Sequence, residues 1–159
     1  MNLTPGKINA FLFLRLPAAF FCGVRVKSIT IQSCTTTVTH RWINQNPFKS
    51  MYFAVQAMAA ELSTGALLLS AINSRKVEVS MLVRSSKSVF VKKATGKITF
   101  TCNDGAAIIA ALASLDCEND SQSILLKSAG MDQSGEMVCE MEFEWGIKLK
   151  HVKPPLINI

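Results

Sequence analysis

The chain has 159 residues, a length that fits one domain, and we expect residues 1–159 to fold as a single unit. Hydrophobic residues make up 49% and charged residues 18%, with a mean hydropathy of +0.28; such an apolar chain hides apolar surface in an oligomer interface, a ligand site or a membrane. The net charge is +6, but no series of aromatic stacking platforms interleaves with the densest cationic cluster, which comprises Arg84, Lys87, Lys92, Lys93 and Lys97. We therefore expect no nucleic-acid partner, and the charge is either a solvated basic face or a surface that steers anionic ligands.

The cysteines do not form a metal or disulfide pattern. There are five, an odd number, and no two are spaced as C-x-x-C. Cys102 and Cys139 fall in alternating apolar runs, where cysteine usually acts as a small buried hydrophobe. We expect no metal site, no cofactor and a reduced, cytoplasmic setting.

The N-terminal region predicts a helix followed by two strands. Thr4 as N-cap and Pro5 at the first helical position indicate an amphipathic helix within residues 1–16. Arg15 and Pro17 interrupt the apolar run that follows, which argues against a signal sequence. From residue 24 to residue 42, β-branched residues alternate, which predicts two strands with a break near residues 32–34.

A long central helix is predicted for residues 47–73, with Asn46 as N-cap and Pro47 at the first position. It is apolar almost all round, so we expect it to be enclosed by the rest of the fold. Residues 51–72 are just long enough to span a bilayer. Glu61 and several other polar side chains interrupt this stretch, however, so we expect no membrane partner.

The second half of the chain predicts four strands and an inserted helix. Residues 77–84 alternate, residues 85–88 form a turn, and a second run extends from residue 89 to residue 102 with a bulge at Gly96. Asp104 is predicted to cap a short helix over residues 104–115.

A polar loop at 116–121 then leads to strands at 123–129 and 136–150. The last strand alternates strictly, and one face carries the side chains that should be buried: Cys139, Met141, Phe143, Trp145, Ile147 and Leu149. An antiparallel sheet that encloses one apolar helix is an α+β architecture.

The segment from Asn46 to Gly65 resembles the signature of hotdog-fold acyl-CoA thioesterases of the phenylacetate-pathway type. In that signature an Asn is followed six residues later by a His and small residues, and nine residues further by an acidic residue on the same helix. The closing strand, with Glu-Trp-Gly-Ile-Lys at 144–148, is similar to an uncharacterised, thioesterase-like bacterial branch of the superfamily. The resemblance implies the hotdog fold, in which a curved antiparallel sheet wraps around one long central helix. It also implies an acyl-CoA or acyl-carrier thioester substrate. The apolar excess of the chain and its buried central helix predict a homodimer, which could pair further into a tetramer.

The resemblance assigns roles to three residues. Asn46 matches the Asn that helps to form the polar pocket near the thioester. Glu61 matches the catalytic carboxylate, which the family uses as a general base or nucleophile. Gly65 matches a small residue that another backbone approaches closely.

The His-Gly-Gly position is where the sequence departs from the family, because it has Tyr52, Phe53 and Ala54 there. In the family a backbone N–H at this helix start polarises the thioester carbonyl. Phe53 and Ala54 retain N–H groups, and a helix start favours developing negative charge. Their side chains, together with that of Tyr52, crowd the approach of a substrate, which we expect to bind here.

Glu61 also stands out on physical grounds, as the only charge in residues 51–72 of a helix that must be largely buried. Nine residues separate it from Tyr52, which places the two on opposite helix faces. A two-fold dimer would bring Glu61 of one chain to the helix start of the other. The alternative is a structural carboxylate paired with Arg41 or a lysine. Two functions therefore remain: a thioester hydrolase, or a non-catalytic hotdog module for acyl or apolar ligands or for assembly.

Overall fold

Two short helices begin the chain in the computed structural model, which describes residues 3–75, 78–115 and 120–151. Helix α1 spans Pro5–Arg15 and helix α2 spans Pro17–Phe21. The Thr4 side chain accepts a hydrogen bond from the N–H of Lys7, which confirms the predicted cap. Helix α1 covers the edge of the sheet, because the Asn9 side chain exchanges two hydrogen bonds with the backbone of Val26.

A six-stranded antiparallel sheet forms the body of the molecule. Its strands are β1 Arg25–Ile29, β2 Cys34–Thr39, β3 Glu78–Phe90, β4 Lys97–Cys102, β5 Ser121–Met131 and β6 Met137–His151. Their order across the sheet is β1-β2-β4-β5-β6-β3. Strands β1 and β3 are therefore the two edges of the described sheet. The predicted alternation of β6 is confirmed, because the six residues expected on one face are all buried.

Helix α3, Phe53–Arg75, lies in the concave face of this sheet and is buried along most of its length. Hydroxyl groups fix its position on the strands. Thr36 Oγ1 donates to the carbonyl of Ala59 over 2.7 Å, and the Ser63 and Ser128 hydroxyls lie 2.8 Å apart. The result is the expected hotdog fold, a curved antiparallel sheet around one long central helix. The long apolar helix is thus the core helix, which accounts for its membrane-like composition.

The predicted start of the central helix at Asn46 and Pro47 is wrong, because α3 begins at Phe53. Asn46 caps a turn instead of a helix: its Oδ1 accepts hydrogen bonds from the N–H groups of Phe48 and Ser50. The Asn46 N–H donates to the Ser50 carbonyl over 2.8 Å, and Lys49 adopts a positive φ of 58°. The Asn46 side chain is therefore engaged in a tight turn that ends at Ser50, three residues before the helix begins.

The predicted turn at 85–88 is also wrong, because β3 runs without a break from Glu78 to Phe90. Every residue from 85 to 90 has a partner in β6, and the only irregularity nearby lies between Val83 and Ser85. The chain leaves the sheet later, between residues 91 and 96. Gly96 is a turn residue with a φ of 70° that directly precedes β4, rather than a bulge within a strand.

Helix α4, Gly105–Ala113, confirms the inserted short helix, but the cap at Asp104 is different from the one predicted. The Asp104 carboxylate makes no capping bond. It accepts a hydrogen bond of 2.7 Å from the backbone N–H of Lys127 and so ties the helix start to β5. The predicted loop at 116–119, which includes Cys117, and the predicted strand start at Val77 lie outside the described residues.

Candidate functional site

A groove of about 530 Å³ opens at the start of α3. One wall is the turn before the helix and the other is the segment that follows β3. Its lining includes Asn46, Phe48, Gln56, Phe90 and Lys93 together with Tyr52 and Phe53. The rings of Tyr52 and Phe53 stack edge to face with centroids 4.9 Å apart, and the Phe53 ring lies 6.4 Å from that of Phe90. Three of the predicted site residues therefore meet in one apolar groove.

The start of α3, beside this groove, carries backbone N–H groups that differ in whether they have an acceptor. Val55 and Gln56 donate their N–H groups to the Tyr52 carbonyl, and Tyr52 donates its own to the Asn44 carbonyl. Within the described part of the chain, the N–H groups of Phe53 and Ala54 have no acceptor. Such unpaired donors at a helix start attract negative charge. The two positions predicted to polarise a carbonyl are thus the ones whose donors remain available.

Asn46 can contact a ligand in addition to its role in the turn. Its Oδ1 is fully engaged, since it also accepts from the Ser50 hydroxyl over 3.2 Å. Its Nδ2 donates no hydrogen bond to any residue that the structure describes, although Asn46 lines the groove. The amide nitrogen can therefore bind a ligand oxygen while the turn stays intact.

Glu61 lies in a second cavity, of about 270 Å³, between α3 and the α1–α2 junction. Its walls are mainly apolar: Leu12, Leu16, Pro17, Ala18, Ala19, Met58 and Leu62, with Arg15 as the other charged residue. Burial raises the pKa of the Glu61 carboxyl group. Among the described residues no cation lies within ion-pair distance of Glu61, so this part of the chain gives no support to the alternative in which Arg41 or a lysine pairs with it.

Gly65 lies one turn beyond Glu61, against its carboxylate. A Cβ at position 65 would lie 3.1 Å from the Trp145 ring and 3.3 Å from Glu61 Oε1. The indole is itself held in place, since its Nε1 donates to Thr64 Oγ1 over 3.1 Å. In this chain the predicted close approach at Gly65 is therefore made by a ring and a carboxylate rather than by another backbone.

Gly65→Ala tests this contact. The added methyl group gains helix propensity of about 1 kcal/mol, but overpacking against a buried indole costs about 1–3 kcal/mol. We expect a small net loss of stability in thermal or urea unfolding, and a larger loss of any activity that requires the Glu61 carboxylate in place. Gly6→Ala on the surface is the matched control, because nothing lies near its Cβ position. A variant with full activity would show that the carboxylate position is not critical.

The groove at the start of α3 and the Glu61 cavity share no lining residue. Within one chain the structure therefore brings Asn46, Tyr52 and Phe53 together and places Glu61 and Gly65 elsewhere. Ala54 lies on the helix start but does not line either cavity. This separation matches the opposite-face argument made from the nine-residue spacing.

Some site residues were not predicted. Gln56 is buried beside the groove, where its Nε2 donates to the Met51 carbonyl and its Oε1 accepts from the Cys139 thiol. The sequence signal that could have identified Gln56 is that it is a polar residue within an apolar helix. Of the cationic cluster, Lys92 is paired with Asp132 and Glu136, whereas Lys93 lies exposed at the groove.

Three of the described cysteines are buried in the core. Burial raises the pKa of Cys34, Cys102 and Cys139 to about 12, so these thiols stay protonated and unreactive. Among the described residues, no group of three His, Cys, Asp or Glu side chains is arranged to hold a metal ion.

Comparisons with known proteins agree with this architecture. A protein of unknown function from Pseudomonas aeruginosa, described as a probable thioesterase, superposes with a TM-score of 0.78 at 23% identity, covering 94% of this chain and 98% of that one. A protein of unknown function from Chlorobaculum tepidum has a TM-score of 0.78 at 15% identity, with 94% and 99% covered. A thioesterase from Haemophilus influenzae has a TM-score of 0.70 at 10% identity, with 96% of each chain covered.

No curated protein matches the sequence. A family profile matches residues 8–147, which include α3, both cavities and nearly all of the sheet. The match covers most of the chain and shows its family: the chain has the hotdog fold and belongs to the family described as domain of unknown function DUF4442.

Proposed function

We propose that this protein hydrolyses the thioester of an acyl-CoA or acyl-carrier substrate, with Glu61 as the base. The observation that carries the proposal is the Glu61 carboxylate itself, which lines a mainly apolar cavity and forms no ion pair in the described chain. Keeping such a group in place costs stability, and groups of this kind concentrate at functional sites. The raised pKa of Glu61 also brings it nearer to the range of a general base at neutral pH.

The proposed mechanism uses two parts of the site. Glu61 accepts a proton from a water molecule as the water oxygen attacks the thioester carbonyl carbon. The N–H groups of Phe53 and Ala54 stabilise the negative charge that develops on the carbonyl oxygen. The C–S bond then breaks, and protonated Glu61 returns the proton to the leaving thiolate. The products are a carboxylic acid and a free thiol, and Glu61 is regenerated.

The two parts belong to different protomers in this proposal, because in one chain they line separate cavities. Strand β3 supports the pairing: it is a sheet edge of 13 residues, and Leu82, Val89 and Phe90 on it are exposed. Long apolar edges pair with other chains unless something covers them. A two-fold axis at β3 would cover the β3 edge of each protomer and bring Glu61 of one protomer towards the α3 start of the other.

Light scattering tests the assembly. At micromolar concentration we expect a mass of at least twice 17.4 kDa, as a dimer or a tetramer. The substitution Val89→Lys on the β3 edge should lower the mass, because charge on an edge strand opposes pairing. Leu125→Lys, at an exposed position in the middle of the sheet, is the control. A wild-type protein that is a monomer would remove the shared-site mechanism.

The substrate class follows from the chemistry of the two cavities. The apolar walls around Glu61 suit an acyl chain. Lys93, exposed at the groove, suits a phosphate of the CoA or carrier arm. Together they favour a substrate with an apolar acyl group and an anionic carrier, and such substrates place the protein in the cytoplasm.

A panel of acyl-CoA thioesters of increasing chain length, assayed by release of free thiol, tests the proposal. We expect hydrolysis of at least one member. The second candidate, a non-catalytic ligand-binding module, is favoured by the Tyr52 and Phe53 rings that occupy the groove. A protein that binds acyl-CoA in calorimetry but hydrolyses none of the panel would support that candidate instead.

A further inference from the structure

All of the net positive charge of the chain lies in its first 60 residues. That stretch contains six Lys and Arg residues and no Asp or Glu, whereas residues 61–159 contain 11 cationic and 11 acidic residues. The first 60 residues form α1, α2, β1, β2, the turns that lead into α3 and the first two turns of α3. One region of the molecule is therefore cationic without any acidic side chain of its own.

An exposed aromatic cluster occupies the same region. The rings of Phe13 and Phe20 lie 5.0 Å apart and those of Phe20 and Phe21 lie 5.8 Å apart, each pair edge to face. Phe21 is 62% exposed and Phe13 52% exposed, so the cluster is not part of the core. The Arg25 guanidinium lies over the Phe20 ring, 3.6 Å from its centroid. Aromatic and guanidinium groups thus share one surface.

The turn after β2 extends this surface. Asn44 Nδ2 donates to the carbonyls of Cys22 and Thr39, each over 2.9 Å, and so fixes the short 3₁₀ helix Trp42–Asn44 against the end of α2. Trp42 is 84% exposed, and the charge of Arg41 acts on Arg25. We call Phe13, Phe20, Phe21, Arg25, Arg41 and Trp42 the aromatic–arginine surface.

The two arginines of this surface have no acidic partner in the part of the chain that the structure describes. Among the described residues, neither Arg25 nor Arg41 forms an ion pair, and the Arg25 guanidinium donates only to the carbonyls of Phe20 and Val24. The surface therefore combines unpaired guanidinium groups, which bind phosphates, with Trp and Phe rings, which favour the headgroup level of a bilayer.

We propose that the aromatic–arginine surface docks the protein on anionic lipid membranes as a peripheral protein. Arg25 and Arg41 contact lipid phosphates, while Trp42, Phe21 and Phe13 enter the interface beside the acyl chains. The charge complementarity of the first 60 residues selects a bilayer over a neutral apolar partner. This departs from the expectation of no membrane partner, which was argued only against a transmembrane span.

Vesicle flotation and tryptophan fluorescence test the proposal. With phosphatidylcholine vesicles containing phosphatidylglycerol at low salt, we expect the protein to float with the vesicles. Binding should decrease as NaCl rises and be weak on phosphatidylcholine alone. Trp145 is 4% exposed, so a blue shift and quenching by brominated lipids would report on Trp42. Absence of flotation with anionic vesicles at low salt would overturn the proposal.

Two variants localise the contact. Arg41→Glu reverses one charge and should weaken vesicle partitioning by about 30-fold, and Trp42→Ser should weaken it by about 10-fold. Lys148→Glu and Leu125→Ser, which reverse a positive charge and remove an apolar side chain at exposed positions of β6 and β5, should leave it unchanged. Equal losses in both pairs of variants would overturn the proposal. A loss of oligomer mass in Arg41→Glu or Trp42→Ser without vesicle binding by the wild type would assign the surface to a second copy of the chain.

Discussion

Glu61→Gln is expected to lower thioester hydrolysis by about 10²-fold or more, the scale of lost general-base catalysis. Glutamine keeps the shape and hydrogen-bonding capacity of the side chain but cannot accept the proton from water. The melting temperature should stay the same or rise, because the change removes a half-buried carboxylate that forms no ion pair in the described chain. The rate is measured by thiol release and stability by thermal melting. Glu140→Gln, on the outer face of β6, is the matched control.

The pH dependence of stability gives an independent check. Burial raises the pKa of Glu61 in the folded protein. A carboxyl group with a raised pKa stabilises the fold while protonated, so stability is present below its unfolded pKa of about 4.3 and is lost as pH rises through the folded pKa. The advantage of Glu61→Gln in melting temperature should therefore grow over that interval and then remain constant. A variant that is destabilised at neutral pH, with activity lost only in proportion to folding, would indicate a structural role.

Phe53→Pro is expected to lower kcat by about 10²–10³-fold relative to Phe53→Ala, the cost of one lost oxyanion donor. Proline suits the first position of a helix, and the N–H that it removes has no acceptor in the described chain, so α3 should form normally. Both variants lack the ring, so the difference between them isolates the N–H group. Equal kcat values for the two variants, with unchanged melting temperatures, would show that this donor has no part in catalysis.

A mixed dimer separates a shared site from a site within one chain. Each of the variants Glu61→Gln and Phe53→Pro should be nearly inactive alone. If each site takes Glu61 from one protomer and the α3 start from the other, randomly mixed subunits should recover about a quarter of wild-type activity, because half of the dimers then contain one intact site. If both groups come from one chain, mixing restores nothing. Differential tags on the two variants allow the mixed dimer to be purified and assayed alone.

The elements whose apolar pattern extends over many residues could be predicted from the sequence. Strand β6 and helix α3 have patterns that only one environment satisfies, a half-buried strand and an enclosed helix. The errors arose where one side chain had two possible partners. Asn46 followed by Pro47 is a strong helix-start signal, but the same Oδ1 bonds equally well to N–H groups of a turn. The sequence alone does not decide between the two.

The turn predicted at 85–88 failed for a related reason. Polar residues such as Ser85 and Ser88 favour turns when they are exposed, yet here they pair with β6 along its whole length. Pairing between distant strands therefore outweighed local preference. For the candidate site, the unusual burial of Glu61 could be predicted from its position in an apolar helix. The apolar wall from α1 and α2 could not, because it depends on how distant segments pack.

The way α3 is held has a consequence for how this protein can change over evolution. Thr36, Ser63 and Thr64 bond the helix to strands or to side chains on them, so the helix start and Glu61 keep fixed positions within a protomer. The wall opposite Glu61 belongs to other elements, in residues 12–19. Substitutions at Leu16 or Ala18 can therefore reshape the space for a bound molecule while the carboxylate stays where it is. A new substrate range can arise in one region of the chain without the chemistry being rebuilt in another.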